Sequence, residues 1–148
     1  MVEMPFTWCH GKLYKKKFLD DNNIKSNFVG TSEDAYFNAI CLELGDCRKI
    51  PFPTMIWTQN FDSITHDPKR GYLEFFFSDY VRALRLAAEF VMDKGKIPSF
   101  IEKTTAYINY RLEREGPTFS EREKEKAREE IQLYNEMLER LKTFKTEE

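Results

Sequence analysis

The segment from Tyr72 to Lys94 carries apolar residues at helical spacing along its whole length. Apolar side chains that recur every three or four residues lie on one face of an α-helix, and that face must be buried. Further phenylalanines widen the face, so we expect a central core helix that ends at Gly95. Its first part, Tyr72–Phe77, could instead be a strand that precedes a shorter helix. The recurring positions are Leu73, Phe76, Tyr80, Leu84, Ala87, Ala88 and Val91.

A second helix is predicted from about Glu33 to Leu44. Thr31 or Ser32 can cap its first turn by accepting a backbone hydrogen bond, and acidic residues follow at once. Gly45 is a typical residue at which a helix ends.

Two capping boxes predict the last two helices. Ser99 with Glu102 should open a helix that continues to about Glu115, and the Gly116–Pro117 pair should break it. Ser120 with Glu123 should open the final helix, which we expect to reach about Thr143. The two helices should form a helical hairpin because the connection between them is short.

The fold class expected from these patterns is mainly α, and an α+β fold is the alternative. We expect about four helices, with one or two short strands near residues 2–8 and 54–59. Prolines near both segments limit how regular such strands can be.

The aromatic and charged residues are distributed unevenly along the chain. Aromatic residues make up 15% of the sequence, and only three of them lie in residues 111–148. We therefore expect residues 1–116 to form a compact, aromatic-rich body. Residues 117–148 should form a charged helix that packs on the body or on a partner through a narrow apolar stripe.

The apolar stripe of the final helix is the candidate partner-binding site. Its residues, Ile131, Tyr134, Leu138 and Leu141, alternate at spacings of three and four, which resembles about two heptads of a coiled coil. Charge pairs in the first turns partly cancel, so packing must supply most of the order of this helix. The partner could be another protein or a second copy of this chain.

The net charge of −2 excludes a strongly basic protein that binds polyanions through its overall charge. One segment is a local exception, because lysines alternate there with aromatic residues. Lysines can neutralise phosphates and aromatic rings can stack on bases, so this segment is the alternative, nucleic-acid-binding candidate. Its residues are Lys12, Tyr14, Lys15, Lys16, Lys17 and Phe18.

A thiol and imidazole set gives a weaker alternative, a metal-dependent enzyme. The candidate ligands are Cys9, His10, Cys41, Cys47 and His66, but none of their spacings matches the close pairs typical of structural zinc sites. The phosphate-binding loops and metalloprotease motifs with recognisable spacing are missing from the sequence. We therefore expect no cofactor, and a non-enzymatic role is favoured.

The sequence contains neither a signal-peptide pattern at its N-terminus nor a membrane-spanning apolar run. Three cysteines are too few, and odd in number, for a disulfide framework, so we expect a cytoplasmic or similar reducing compartment. Together these features predict a small soluble protein that binds another protein, as a regulator, an inhibitor or an assembly subunit. It would act through an aromatic-rich surface and the C-terminal helix.

Overall fold

The computed structural model describes residues 12–25, 30–47 and 74–146. Within these ranges the chain forms five α-helices and no strand, which confirms the prediction of a mainly helical fold. The strands expected near residues 2–8 and 54–59 lie outside the described residues. The helices are α1 (Lys16–Asp21), α2 (Glu33–Leu44), α3 (Phe76–Asp93), α4 (Ile101–Glu115) and α5 (Glu121–Thr146), with a 3₁₀ turn at Gly116–Thr118.

Helix α3 forms the centre of the structure. Tyr80 and Leu84 are completely buried, as are several alanines of the same helix. Helices α2 and α5 make the most extensive backbone contacts with α3. The apolar spacing that predicted a core helix is confirmed, although the helix begins at Phe76 and not at Tyr72. Small alanine side chains allow neighbouring helices to approach α3 closely.

Hydrogen bonds between the helices show their relative directions. Thr31, before α2, bonds to Asp79 near the start of α3, whereas Glu43 near the end of α2 bonds to Ser99 beyond the end of α3. Helices α2 and α3 therefore run parallel. Contacts of α5 with α3 also advance in step along the two helices, so these two are parallel as well.

Helix α4 returns in the opposite direction. Its second half approaches the start of α3, where Arg111 lies over the Phe76 ring, and Tyr107 packs edge-on against Tyr80 at 5.4 Å between ring centroids. Helices α4 and α5 are antiparallel and joined by the 3₁₀ turn, as expected of a hairpin. The backbone of α5 nevertheless lies closer to α3 than to α4.

The end of α3 is set by a glycine in the left-handed region. Gly95 has φ +73° and donates its backbone N–H to Met92 at 2.8 Å, while the N–H of Lys96 bonds to Val91 at 3.2 Å. This pair of hydrogen bonds is a Schellman motif, which satisfies carbonyl groups left open at the end of a helix.

The predicted capping box at Ser99 is wrong. The backbone N–H and hydroxyl of Ser99 donate to the carboxylate of Glu43, at 3.1 and 3.0 Å, and no side chain caps α4. At Ser120 the prediction holds in part, because the N–H of Glu123 donates to the Ser120 hydroxyl at 3.1 Å. The Glu123 carboxylate, however, bonds to α3 rather than back to Ser120.

Candidate functional site

A row of polar contacts fixes the rotation of α5 about its own axis. The Glu123 carboxylate accepts hydrogen bonds from Ser78, and Lys126 forms an ion pair with Asp79 at 3.0 Å. Nearly two turns further along α3, Arg85 pairs with Glu130 at 3.3 Å. These partly buried contacts determine which face of α5 meets the protein and which face remains outside.

Tyr134 and Leu141 lie on the inner face of α5. The Tyr134 side chain is 3% exposed, and its hydroxyl forms hydrogen bonds with those of Thr104 and Thr105, at 3.2 and 2.9 Å. Burial raises the pKa of Tyr134, and the two threonine hydrogen bonds offset part of that rise. Leu141 is 5% exposed.

The predicted partner-binding stripe is therefore divided by the fold. Tyr134 and Leu141 pack into the core of their own chain, whereas Ile131 and Leu138 are half-buried at its edge. Met137, which the stripe did not include, is 1% exposed and supplies much of the inner packing. Of the four predicted residues, Ile131 also lines an open cavity.

That cavity is a groove between α4 and α5, with a volume of about 710 Å³. We call it the α4–α5 groove. Its apolar lining comes from both helices and from the turn between them, and Leu112 of α4 is 38% exposed there. The lining residues are Leu112, Gly116, Phe119, Lys124, Ala127, Arg128, Ile131, Gln132, Asn135, Glu136 and Glu139.

The two ends of the groove carry opposite charge. Lys124 and Arg128 lie at the end near the 3₁₀ turn, while Glu136 and Glu139 lie toward the C-terminus of α5. Among the described residues, Lys124 and Glu139 form ion pairs with near neighbours on their own helix, Glu121 and Lys142. Such exposed pairs are weak, so both charges can still attract an outside group.

Sequence reasoning did not find this groove because its α5 side is mostly polar. A search for apolar spacing selects the residues that pack inward, such as Tyr134, and passes over Lys124, Gln132 and Glu139. The apolar part of the groove depends on Leu112, which comes from a different helix. The spacing of the α5 residues, every three or four positions, indicates that they share one helix face. The sequence alone could not show that this face lies beside α4.

The basic-aromatic segment directs its aromatic rings toward the protein. The Tyr14 hydroxyl donates to the Asn38 side chain at 2.6 Å, and its ring packs edge-on against Phe37 at 5.0 Å between centroids. Phe18 is half-buried and packs against Gly45. Two rings held in this way offer little surface on which a base could stack.

The lysines of the same segment lie on the surface. Lys16 pairs with Asp20 at 2.6 Å and Lys17 with Asp21 at 2.8 Å, each one turn apart on α1. Lys12 and Lys15 are exposed just before that helix. The neighbouring aspartates reduce the local positive charge that a phosphate would meet, so no observation here favours nucleic-acid binding over the groove.

The predicted metal ligands are only partly within the described residues. Cys41 is buried in α2 and Cys47 is exposed beyond its end. Cys9, His10 and His66 lie outside the described residues. Across residues 12–25, 30–47 and 74–146, no three His, Cys, Asp or Glu side chains are arranged to hold a metal ion.

Comparisons with models of protein families, with curated proteins and with solved structures find no match for this chain. In the part of the chain that the structure describes, none of the helices has the length and apolar character needed to cross a membrane.

Proposed function

We propose that this chain is a protein-binding protein that receives an amphipathic helix of another polypeptide in the α4–α5 groove. In that role it would serve as a regulator, an inhibitor or an assembly subunit. The observation that carries the proposal is an open apolar groove, beside the exposed Leu112, whose two ends have opposite charge.

The apolar lining gives a partner something to bury. Leu112, Phe119 and Ile131 come from three successive segments of the chain and are all at least partly accessible. An apolar side chain that enters such a groove removes surface from water on both molecules, which is the main favourable term in most protein association. Grooves between helices are a recurrent docking site for amphipathic helices.

The shape and charge of the groove favour a helix over a globular surface. From Lys124 to Glu139, the α5 wall extends over fifteen residues, or about 22 Å at the ordinary rise of an α-helix. A helix of about four turns matches that length. A docked helix with an acidic end and a basic end would meet charges of opposite sign at both ends.

The test places a photoreactive amino acid at Gln132, inside the groove, in cells that normally make this protein. The matched control places it at Glu129, which is exposed on the same helix but does not line the groove. We expect one defined cross-linked polypeptide from position 132 and none from position 129, identified by mass spectrometry.

Two substitutions connect this cross-link with the groove itself. Leu112→Glu introduces a charge into the groove and should abolish the cross-link. Leu42→Glu is the matched control because Leu42 is similarly exposed, at 42%, but lies on α2. A cross-link that survives Leu112→Glu, equal products from positions 132 and 129, or no product from position 132 would each overturn the proposal.

A further inference from the structure

We propose that the helix received by the α4–α5 groove is α5 of a second copy of this chain, packed antiparallel about a two-fold axis. This inference rests on the proposed function and names its partner. The axis passes between Ile131 and Gln132. Each copy then supplies the same face, which is the isologous arrangement of most symmetric dimers.

The positions of the groove residues on α5 are symmetric about that axis. Lys124 and Glu139 are equally far from the midpoint between Ile131 and Gln132, and both line the groove. Ala127 and Glu136 form the next such pair, followed by Arg128 with Asn135, and then by Ile131 with Gln132 themselves. In an antiparallel pair of helices, each α5 residue of the groove therefore lies opposite another groove residue of the second copy. Ala127, which is 2% exposed, lies at the buried edge of this face.

The charges are complementary in this arrangement. Lys124 of each copy lies opposite Glu139 of the other, so one dimer contains two such attractive pairs. Arg128 lies next to Glu136 of the other copy in the same way. The uncharged Ile131 and Gln132 occupy the centre, where a charge would be most desolvated.

A parallel arrangement of the same two helices is disfavoured by the same charges. It would place Lys124 opposite Lys124 and Glu139 opposite Glu139, and like charges across an interface are a repulsive element that selects against a pairing. The separation of basic and acidic residues along α5 thus selects the antiparallel dimer.

Helix α5 is held in a fixed orientation before it binds. The contacts of Glu123, Lys126 and Glu130 with α3 define which face points outward, and that face is the one with symmetric groove residues. Preorganisation of this kind reduces the entropy lost on association. The same contacts are not broken by the dimer, because they lie on the inner face.

The test exchanges the complementary charges. In Lys124→Glu, the two attractive pairs of the dimer become repulsive glutamate–glutamate pairs. In Glu139→Lys, they become lysine–lysine pairs, which also repel. We expect each single variant to weaken dimer formation by about tenfold or more, measured by sedimentation equilibrium. The double variant carries both exchanges and should restore the wild-type dissociation constant.

A mixture of the two single variants gives the sharpest result. One copy then has glutamate at both positions and the other has lysine at both, so an antiparallel heterodimer has two attractive pairs. We expect the mixture to form that heterodimer although each variant alone is largely monomeric. Glu129→Lys, a charge reversal outside the groove, should leave the wild-type dimer unchanged, and circular dichroism should show the same helix content in all variants.

Specific results would overturn the inference. These are a wild-type chain that is monomeric at all concentrations tested, a dimer indifferent to both single reversals, or a mixture of single variants that remains monomeric. The proposed function fails separately, through loss of the specific cross-link at position 132. A monomeric chain that still cross-links another protein from position 132 would reject the second copy as the partner and retain the groove as a binding site.

Discussion

The carboxylate of Glu123 in α5 caps the first turn of α3 by accepting two hydrogen bonds from Ser78. One oxygen accepts the Ser78 backbone N–H at 2.9 Å and the other accepts its hydroxyl at 2.7 Å. The first N–H groups of a helix have no partner within the helix, so an acceptor from elsewhere stabilises them. The positive end of the helix dipole also favours this negative charge. A residue 45 positions away thus performs the role usually given to an N-cap.

Glu123→Ala should destabilise the fold by about 1–3 kcal/mol. The change leaves the buried Ser78 N–H without its acceptor and leaves the Ser78 hydroxyl with only the Phe75 carbonyl, at 3.3 Å. Glu123 itself is only 2% exposed. Urea denaturation followed by circular dichroism measures the effect. Glu125→Ala is the matched control on the exposed face of α5 and should change stability by less than about 0.5 kcal/mol. Equal effects from both substitutions would contradict the capping role.

The ion pair between Arg85 and Glu130 should show strong coupling between its two members. Both side chains are largely buried, at 13% and 11% exposure, and Arg85 also pairs with Glu89 at 3.3 Å. Glu130→Leu therefore leaves the buried Arg85 charge with one carboxylate in place of two and should cost about 1–3 kcal/mol. Adding Arg85→Met removes that charge, while Glu89 keeps Arg140 as a partner. We expect the double variant to be more stable than Glu130→Leu alone.

Urea denaturation of the two single variants and the double variant forms a double-mutant cycle for this pair. Asp20→Ala, which removes the exposed Lys16–Asp20 pair, is the reference and should cost less than about 1 kcal/mol. Additive effects of Arg85→Met and Glu130→Leu would show that the pair does not act as a unit.

Local patterns in the sequence were sufficient for most of the helices. The predicted bounds of α2, Glu33 and Leu44, agree with the structure, and so does the end of α4 at Glu115. These elements have clear ends: acidic residues at the start of α2, and glycine after α2 and α4. The short helix α1 was not predicted, because six residues are too few to establish a periodic pattern.

Contacts between distant residues could not be predicted in this way. Ser99 has the spacing of a helix cap, yet it bonds to Glu43, which is 56 positions away. The same limit applies to the groove, whose exposed Leu112 and charged α5 residues become neighbours only when α4 and α5 pack. Tertiary contacts determine which partners such residues have, and a local sequence motif carries no information about those contacts.

Stability should fall steeply at alkaline pH because three tyrosines are buried. Burial raises the pKa values of Tyr80, Tyr107 and Tyr134 above the ordinary value of 10.0. Below pH 10 the phenols are protonated in both the folded and the unfolded chain, so their contribution to the free energy of unfolding is fully present. Between 10 and the raised folded values, the unfolded chain loses protons that the folded chain keeps. Stability then falls by about 1.4 kcal/mol per pH unit for each tyrosine.

Denaturation in urea at a series of pH values above 9 measures this slope. Tyr80→Phe removes one of the buried phenols and should make the decline less steep. Tyrosinate absorbance provides an independent readout, because the buried tyrosines should ionise together with unfolding. A chain whose stability is constant through this range would show that burial does not control these phenols.

The two glycines at the ends of α3 and α4 should respond oppositely to substitution by alanine. Gly95 has φ +73°, and nothing lies within 4 Å of an added Cβ, so the cost of Gly95→Ala is conformational, about 1 kcal/mol. Gly116 has φ −49° and ψ −40°, which suit alanine, and its Cβ would lie 3.5 Å from Leu112, an ordinary contact. Gly116→Ala should therefore stabilise the fold by about 0.5 kcal/mol, since it restricts the unfolded chain. Thermal denaturation should show a lower Tm for Gly95→Ala and a slightly higher one for Gly116→Ala. Shifts of the same sign would contradict this assignment of the two backbone conformations.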